Sequence, residues 1–472
     1  MGAATLTETA EIESKPKSRI ENQQGSESFI FHRSQRDQPT NIVSGSGISF
    51  TTNDGQHIID ASAGPSVAIL GHNQPRVMNA VLRQMQSISY AYSMGYTTTA
   101  GEELARLLLE DQPGGLSRAI FVNSGSEATD AALKLASQYW IERGQPRKTN
   151  FIARKQSYHG NTLGALCVSG HESRREMYQS WMSTNVSFVD PCYTYRAQVS
   201  TETEEEYVDR LAVQFEQEIM RLGADTVAAF IMEPVSGTTL GCVPPAKGYM
   251  QSIRRICDRH DILLIYDEIM CGIGKTGAMH AWEQEGASPD IQTIGKALGA
   301  GFVPISGVLA KQKVYDSVAN GSKTLAHGHT FQAHPIACAA ALEVQRIIRE
   351  EDLLSNVAIR GEQLQQELHK HLSGLPHVGD IRGRGLFMAV EFMKEPSSRT
   401  PFPLGCGYSD DIVRVAKQAG LNILGTLGHT GEHHVEHVIV CPPYTIQHEE
   451  VIEIVRRLRN AIKEVDRMRK TL

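Results

Sequence analysis

An α/β protein organised on a largely parallel sheet, followed by an α+β module, is the fold class this sequence predicts. Two features carry that reading. Runs at 119–122, 228–232, 262–266, 291–294 and 305–310 are apolar at almost every position, as in strands buried on both faces. Helical stretches separate these runs, which is the alternation of a parallel α/β sheet. Ahead of them, 47–52 and 57–60 flank Asn53-Asp54-Gly55, a hairpin signal, and a helix is expected at 76–87. Beyond a loop broken by Gly299, Gly301, Pro304 and Gly321, a long amphipathic helix spans 335–350. The pattern then reads helix 359–372, strand 386–392, helix 410–419, strand 437–441 and helix 449–469.

The chain has 472 residues, 41% hydrophobic and 21% charged, enough for two or three structural domains. Lys plus Arg number 46 against 53 Asp plus Glu, a net charge of −7 with no basic stripe, which excludes a dedicated nucleic-acid binder. No apolar stretch approaches the roughly 18–20 residues a membrane span needs. The eight cysteines are scattered without a CxxC pair, which reads as reduced, buried thiols in a cytoplasmic protein. Residues 1–27, polar and carrying Glu8, Glu11 and Glu13, read as a flexible tail rather than a secretory signal or transit peptide.

In open α/β sheets, ligands bind at the carboxyl ends of strands. Glu233, Asp267 and Lys296 each end an apolar run, where an unpaired charge is expensive to bury. A fourth element, Phe121-Val122-Asn123-Ser124-Gly125-Ser126-Glu127-Ala128, runs from a strand through a small-residue turn into an Ala-rich helix. Free N–H groups at such a helix start attract a phosphate. A Schiff-base lysine, a carboxylate for a pyridinium nitrogen and a phosphate cup are the parts a pyridoxal phosphate site requires.

On these residues the chain resembles the class III (omega) aminotransferases, fold-type-I pyridoxal-phosphate enzymes. The resemblance continues through Ser157-Tyr158-His159-Gly160, Glu233-Pro234-Val235, the 263–269 segment, Gly272–Gly277, Gly295–Gly299, His327–Phe331, His334-Pro335 and Pro442-Pro443, covering about residues 28–465. It implies a large domain (96–340) with a mostly parallel, seven-stranded sheet. A smaller α+β domain would be built from the N-terminal segment 28–95 and the C-terminal segment 341–472.

The resemblance also implies roles. Lys296 would hold pyridoxal 5'-phosphate as a Schiff base and shuttle the proton, and Asp267 would pair with the pyridinium N–H. Ser124, Gly125 and Ser126 would form the phosphate cup, with Thr330 reaching it from the neighbouring subunit of a homodimer that shares its active sites. Tyr158 would stack on one ring face and Ile269 on the other, while His159 and Glu233 would make further cofactor or substrate contacts. The implied reaction is a ping-pong exchange between an amine or omega-amino donor and a keto-acid, aldehyde or ketone acceptor. An aminomutase, racemase or decarboxylating transaminase on the same scaffold is the alternative, and a non-catalytic protein that keeps the fold is a more distant one.

Several patterns are set aside. Gly274-Lys275-Thr276 lacks the earlier glycine of a phosphate-binding loop, with Ile269 in its place, and 45–50 lacks the third glycine of a dinucleotide fingerprint. His429, His433, His434 and His437 contain no HExxH, so no metal is expected, and a polar or substrate-gating loop remains. Class members acting on α-carboxylates often carry Arg where this chain has Asn161, and a second near Ile439. Asn and Ile cannot reproduce an arginine fork. Arg174 and Arg175 remain as candidates for the keto-acid carboxylate. Tyr90, Tyr92, Tyr96 and Trp181 are candidates for an apolar pocket entered past Pro65 and Ser66.

Overall fold

Strand Val227–Met232 is buried at all six positions, as are Leu263–Asp267 and Ile291–Ile294. Such segments are stable only with backbone partners on both sides and apolar cover on both faces. The computed structural model, which describes residues 28–35, 38–426 and 428–470, supplies both. The sheet has seven strands in the order Leu116–Val122, Ser306–Lys311, Ile291–Ile294, Leu263–Asp267, Val227–Met232, Asn150–Arg154, Val186–Val189. Ser306–Lys311 alone runs antiparallel to its neighbours, and the other six point the same way.

Asn150–Arg154 and Val186–Val189 are absent from the sequence reading. The first offers only Phe151-Ile152-Ala153 between polar ends. The second is an edge strand, half-buried for three of its four residues. Helix Gly125–Glu142 packs on the sheet through Ala128, Ala131, Ala132, Leu135 and Ala136, whose small side chains permit a close approach. Trp140 Nε1 donates to the Ala228 carbonyl at 2.8 Å, tying the helix to strand Val227–Met232.

The chain divides into two compact units, Met1–Asn41 and Ile42–Leu472. The described residues of the first form no helix or strand, and the tail expected over 1–27 lies outside the described residues. In the second, Ser49–Thr52 and His57–Asp60 form the expected hairpin, joined by a third strand, Ile42–Ser46. Leu421–Asn422, from the far end of the chain, adds in parallel to His57–Asp60, and Asn422 Nδ2 donates to Asp60 Oδ1 at 2.8 Å. A separate antiparallel sheet runs Val378–Arg384, Phe387–Phe392, Glu436–Val440, Leu424–Gly425. The first of these strands was not anticipated, because its sequence VGDIRGR carries no apolar alternation. Among the described residues no helix is long and apolar enough to cross a membrane.

One buried ionic cluster ties this last sheet to the segment that follows Val186–Val189. Glu391, fully buried, accepts from Arg196 at 2.7 Å and also meets Arg382 and Tyr193. Removing its carboxylate leaves the buried Arg196 guanidinium without a carboxylate partner among the described residues and Arg382 with Asp380 alone. Glu391→Ala is expected to destabilise the protein by about 3–5 kcal/mol, measured by thermal and denaturant unfolding, with Glu391→Gln costing less.

Candidate active site

Strand register lays out a row of polar groups along the carboxyl edge of the large sheet. Met232 lies opposite Tyr266 and Asp267 opposite Thr293. Glu233, one residue past its strand, therefore lies beside Asp267, and Thr293 flanks Asp267 on the other side. Two residues beyond Thr293's strand comes Lys296, in a left-handed conformation at φ +42°.

Asp267 is buried and every contact it makes suits an ionised carboxylate. His159 Nδ1 donates to Oδ2 at 2.8 Å, while Oδ1 accepts from the Ile269 backbone N–H at 3.0 Å and from Thr293 Oγ1 at 3.2 Å. The His159 side chain is fully buried and its Nε2 has no hydrogen-bond partner among the described residues. Glu233 accepts from the Gly237 N–H at 3.2 Å through Oε1, whereas Oε2 has no hydrogen-bond partner among the described residues and lies 3.8 Å from Arg154. Burial raises the Glu233 carboxyl above its usual range. Burial also lowers the Lys296 amine below the ordinary lysine range, against the opposing pull of Asp267 and Glu233. A lysine so placed has more free amine at neutral pH, as a nucleophile requires.

Small residues make room above this row. Helix Gly125–Glu142 opens with a capping box: Ser124 Oγ accepts from Glu127 N at 3.2 Å, and Glu127 Oε2 accepts from Ser124 N at 3.0 Å. A Cβ at Gly125 would lie 2.9 Å from Ile269 Cδ1, and one at Gly295 3.4 Å from Ile269 Cγ2. Ile269 thus packs against the helix start and the turn that carries Lys296. Gly160, at φ +141°, leaves space for Ser126, whose Oγ donates to Asn161 Oδ1 at 2.8 Å.

The structure therefore gathers Asp267, His159, Ile269 and Gly125 by direct contact, with the buried Glu233 and the half-buried Lys296 in the same row. Tyr158 lies on the neighbouring turn, with the Arg174 guanidinium 4.5 Å from its ring centre. Thr330 lies apart from this cluster. It is exposed, on a loop hung from the sheet by Ala333 N–H to the Phe121 carbonyl at 3.0 Å, and its carbonyl accepts from Tyr90 at 3.0 Å. Tyr90, Tyr92, Tyr96 and Trp181 are exposed in the single chain, while Ser66 is fully buried. Ile439 is also fully buried, within an apolar cluster.

Sequence reasoning passed over Thr293, Arg154 and Gln156. Gln156 holds the late loop by three bonds: Nε2 donates to Thr430 Oγ1 and the His433 carbonyl, and Oε1 accepts from His433 N–H. Arg154 ends an unrecognised strand, and no local signal marks Gln156. The loop histidines diverge, with His429 on Glu172, His434 on Glu436 and His433 against the Tyr193 ring. Lys275, from the phosphate-loop look-alike, is fully buried and donates to the Cys441 and Pro442 carbonyls at 3.4 and 3.3 Å, and burial lowers its amine to about 8.

A family model described as Aminotransferase class-III matches residues 30–462. An uncharacterised aminotransferase of Schizosaccharomyces pombe is 40% identical over 97% of this chain and 98% of its own. An omega-aminotransferase of Caulobacter vibrioides is 32% identical over 93% of this chain and 97% of its own. Among solved structures, the omega transaminase of Pseudomonas jessenii in complex with PMP superposes with a TM-score of 0.86 at 33% identity, covering 91% of this chain and 93% of that one.

The packing at Gly160 can be tested without any ligand. A Cβ there would sit 2.7 Å from both Ala165 Cβ and Ser126 Oγ. Gly160→Ala is expected to cost about 1–3 kcal/mol by overpacking, seen as a lower thermal midpoint of the ligand-free protein.

Proposed function

The chain belongs to the class III aminotransferase family, a pyridoxal-phosphate-dependent family of transaminases, and on that premise we propose how its own residues carry the reaction and which donor it prefers. The observation that carries the proposal is the row in which a lysine with a depressed amine and a carboxylate held by three donors share the sheet edge. The residues present suit the cofactor. Gly125 lets Ile269 pack close against the helix start, and the buried His159 Nε2 and Glu233 Oε2 have no hydrogen-bond partner among the described residues.

When bound, pyridoxal phosphate supplies the carbonyl that takes the amino nitrogen and the ring that accepts the electron pair left at the donor carbon. Lys296 would hold it through Nζ and, once displaced by the donor amine, would move the proton from the donor carbon to the cofactor carbon that had carried the carbonyl. Asp267 would keep the pyridine nitrogen protonated, and the His159 hydrogen bond fixes the carboxylate that does so. The N–H groups of Gly125 and Ser126, behind the Ser124 cap, would bind the phosphate. Tyr158 and Ile269 would cover the two ring faces and exclude water. Glu233, at the end of the row, would contact cofactor or substrate.

An uncovered apolar surface supports the reading of a homodimer. Met78, Leu82, Met85 and Ile88 are exposed along helix Pro75–Ser87 and its end, and Tyr90, Tyr92, Met94 and Tyr96 continue the patch. Tyr90 joins it to the Thr330 loop, so covering this face with a second copy would bring Thr330 to a neighbouring site. Eight unpaired cysteines, seven of them buried, suit a reducing compartment such as the cytoplasm.

For the donor, neither position expected to carry a carboxylate-binding arginine can serve. Asn161 is engaged by Ser126, and Ile439 is buried among apolar neighbours. The preferred donor is therefore an amine or omega-amino compound without a nearby α-carboxylate, and the acceptor a keto acid.

Lys296→Ala is expected to abolish turnover together with the visible absorbance of bound cofactor. Asp267→Asn should retain cofactor and lose on the order of 10³-fold in kcat. In a panel of donors added singly to holoenzyme, amines should discharge the visible band faster than α-amino acids. A best specificity constant with an α-amino acid reacting at its α-amine would overturn the donor assignment.

A further inference from the structure

We infer that Arg174 binds the carboxylate of the acceptor. The inference rests on the reading above, in which Tyr158 covers the cofactor ring and a keto acid receives the amino group.

The sequence offers two adjacent arginines, and tertiary contacts separate them. Arg175 Nη1 donates to the carbonyls of Leu166, Cys167 and Ser169 at 3.0, 2.7 and 2.8 Å, and its guanidinium lies over the Phe188 ring. Its charge is spent on closing helix Leu163–Val168. The half-buried Arg174 is arranged differently. Its guanidinium lies 4.5 Å from the Tyr158 ring centre and, among the described residues, has no hydrogen bond and no carboxylate partner.

A guanidinium held over an aromatic ring by cation–π attraction spends none of its N–H groups on that contact, so they remain free for a bidentate acceptor. The acidic neighbour Glu172 does not neutralise it, because that carboxylate pairs with His429 Nε2 at 3.0 Å. The same short segment is fixed to the late loop, with Glu172 N–H donating to the Thr430 carbonyl and Ser173 N–H to the His429 carbonyl. Arg174 is thus carried on a braced segment, beside the turn that bears Tyr158 and His159. This position lets its charge serve in place of the arginines that Asn161 and Ile439 do not supply.

The test compares wild type, Arg174→Ala and Arg174→Lys as holoenzymes. The measurements are KM for a keto acid, KM for an aldehyde without a carboxylate, the rate of the amine half-reaction, and the affinity for unreactive propionate read through the visible cofactor band. Arg174→Ala is expected to raise the keto-acid KM on the order of 100-fold and to weaken propionate at least about tenfold. Aldehyde KM and the amine half-reaction should stay within about threefold, and Arg174→Lys should recover part of the loss. Keto-acid KM and propionate affinity that are both indifferent to Arg174→Ala would overturn the proposal. So would equal losses in both half-reactions with a weakened cofactor band, which would make Arg174 a support for Tyr158. Propionate binding that depends on Arg174 in an enzyme accepting no keto acid would support the carboxylate site and retire the acceptor assignment alone.

Discussion

The carboxylate of Asp267, withdrawn from water at the end of an all-apolar strand, is the constraint around which this site is arranged. A buried charge of this kind costs several kcal/mol unless donors meet it. Here each donor comes from a different part of the chain: the His159 ring, the Ile269 backbone and the Thr293 hydroxyl. Thr293 is available because its strand pairs with Leu263–Asp267 in a register that puts the two residues side by side. His159 is available because the turn after Asn150–Arg154 carries it over the sheet edge. Lys296 and Glu233 lie in the same row, and because burial favours the neutral form of each, it lowers the lysine and raises the carboxyl.

Ile269 is the apolar counterpart of that carboxylate. Its backbone N–H serves Asp267, while its side chain fills the space left by hydrogen in place of Cβ at Gly125 and Gly295. The same few atoms thus fix the helix start, the lysine turn and the carboxylate relative to one another. Close packing of this kind makes the geometry stiff, as a site for positioning and electrostatics demands.

Much of this was legible in the chain because buried strands advertise themselves. The runs ending in Glu233 and Asp267 were recognisable from their unbroken apolar character, and the helix after Ser124 from its small-residue turn. The strand ending in Arg154 escaped notice because only three apolar residues mark it. Gln156 escaped because a glutamine that braces a loop over 270 residues away has no local pattern. The tyrosines expected to line a pocket are on the surface of the single chain, since aromatic composition alone does not say which side of an element is covered.

The sequence by itself determined the elements and the chemical inventory: apolar periodicity dictates which segments become strands, and lysine, carboxylate and small-residue turn are fixed by covalent identity. Only the tertiary structure decided which of these groups work together. It turned Arg175 onto the carbonyls of Leu166, Cys167 and Ser169 and left its neighbour Arg174 over Tyr158. It also set His429, His433 and His434 against three different partners. The physical reason is that hydrogen bonds, ion pairs and desolvation depend on distances of a few ångströms between segments remote in sequence, and only strand register and packing set those distances.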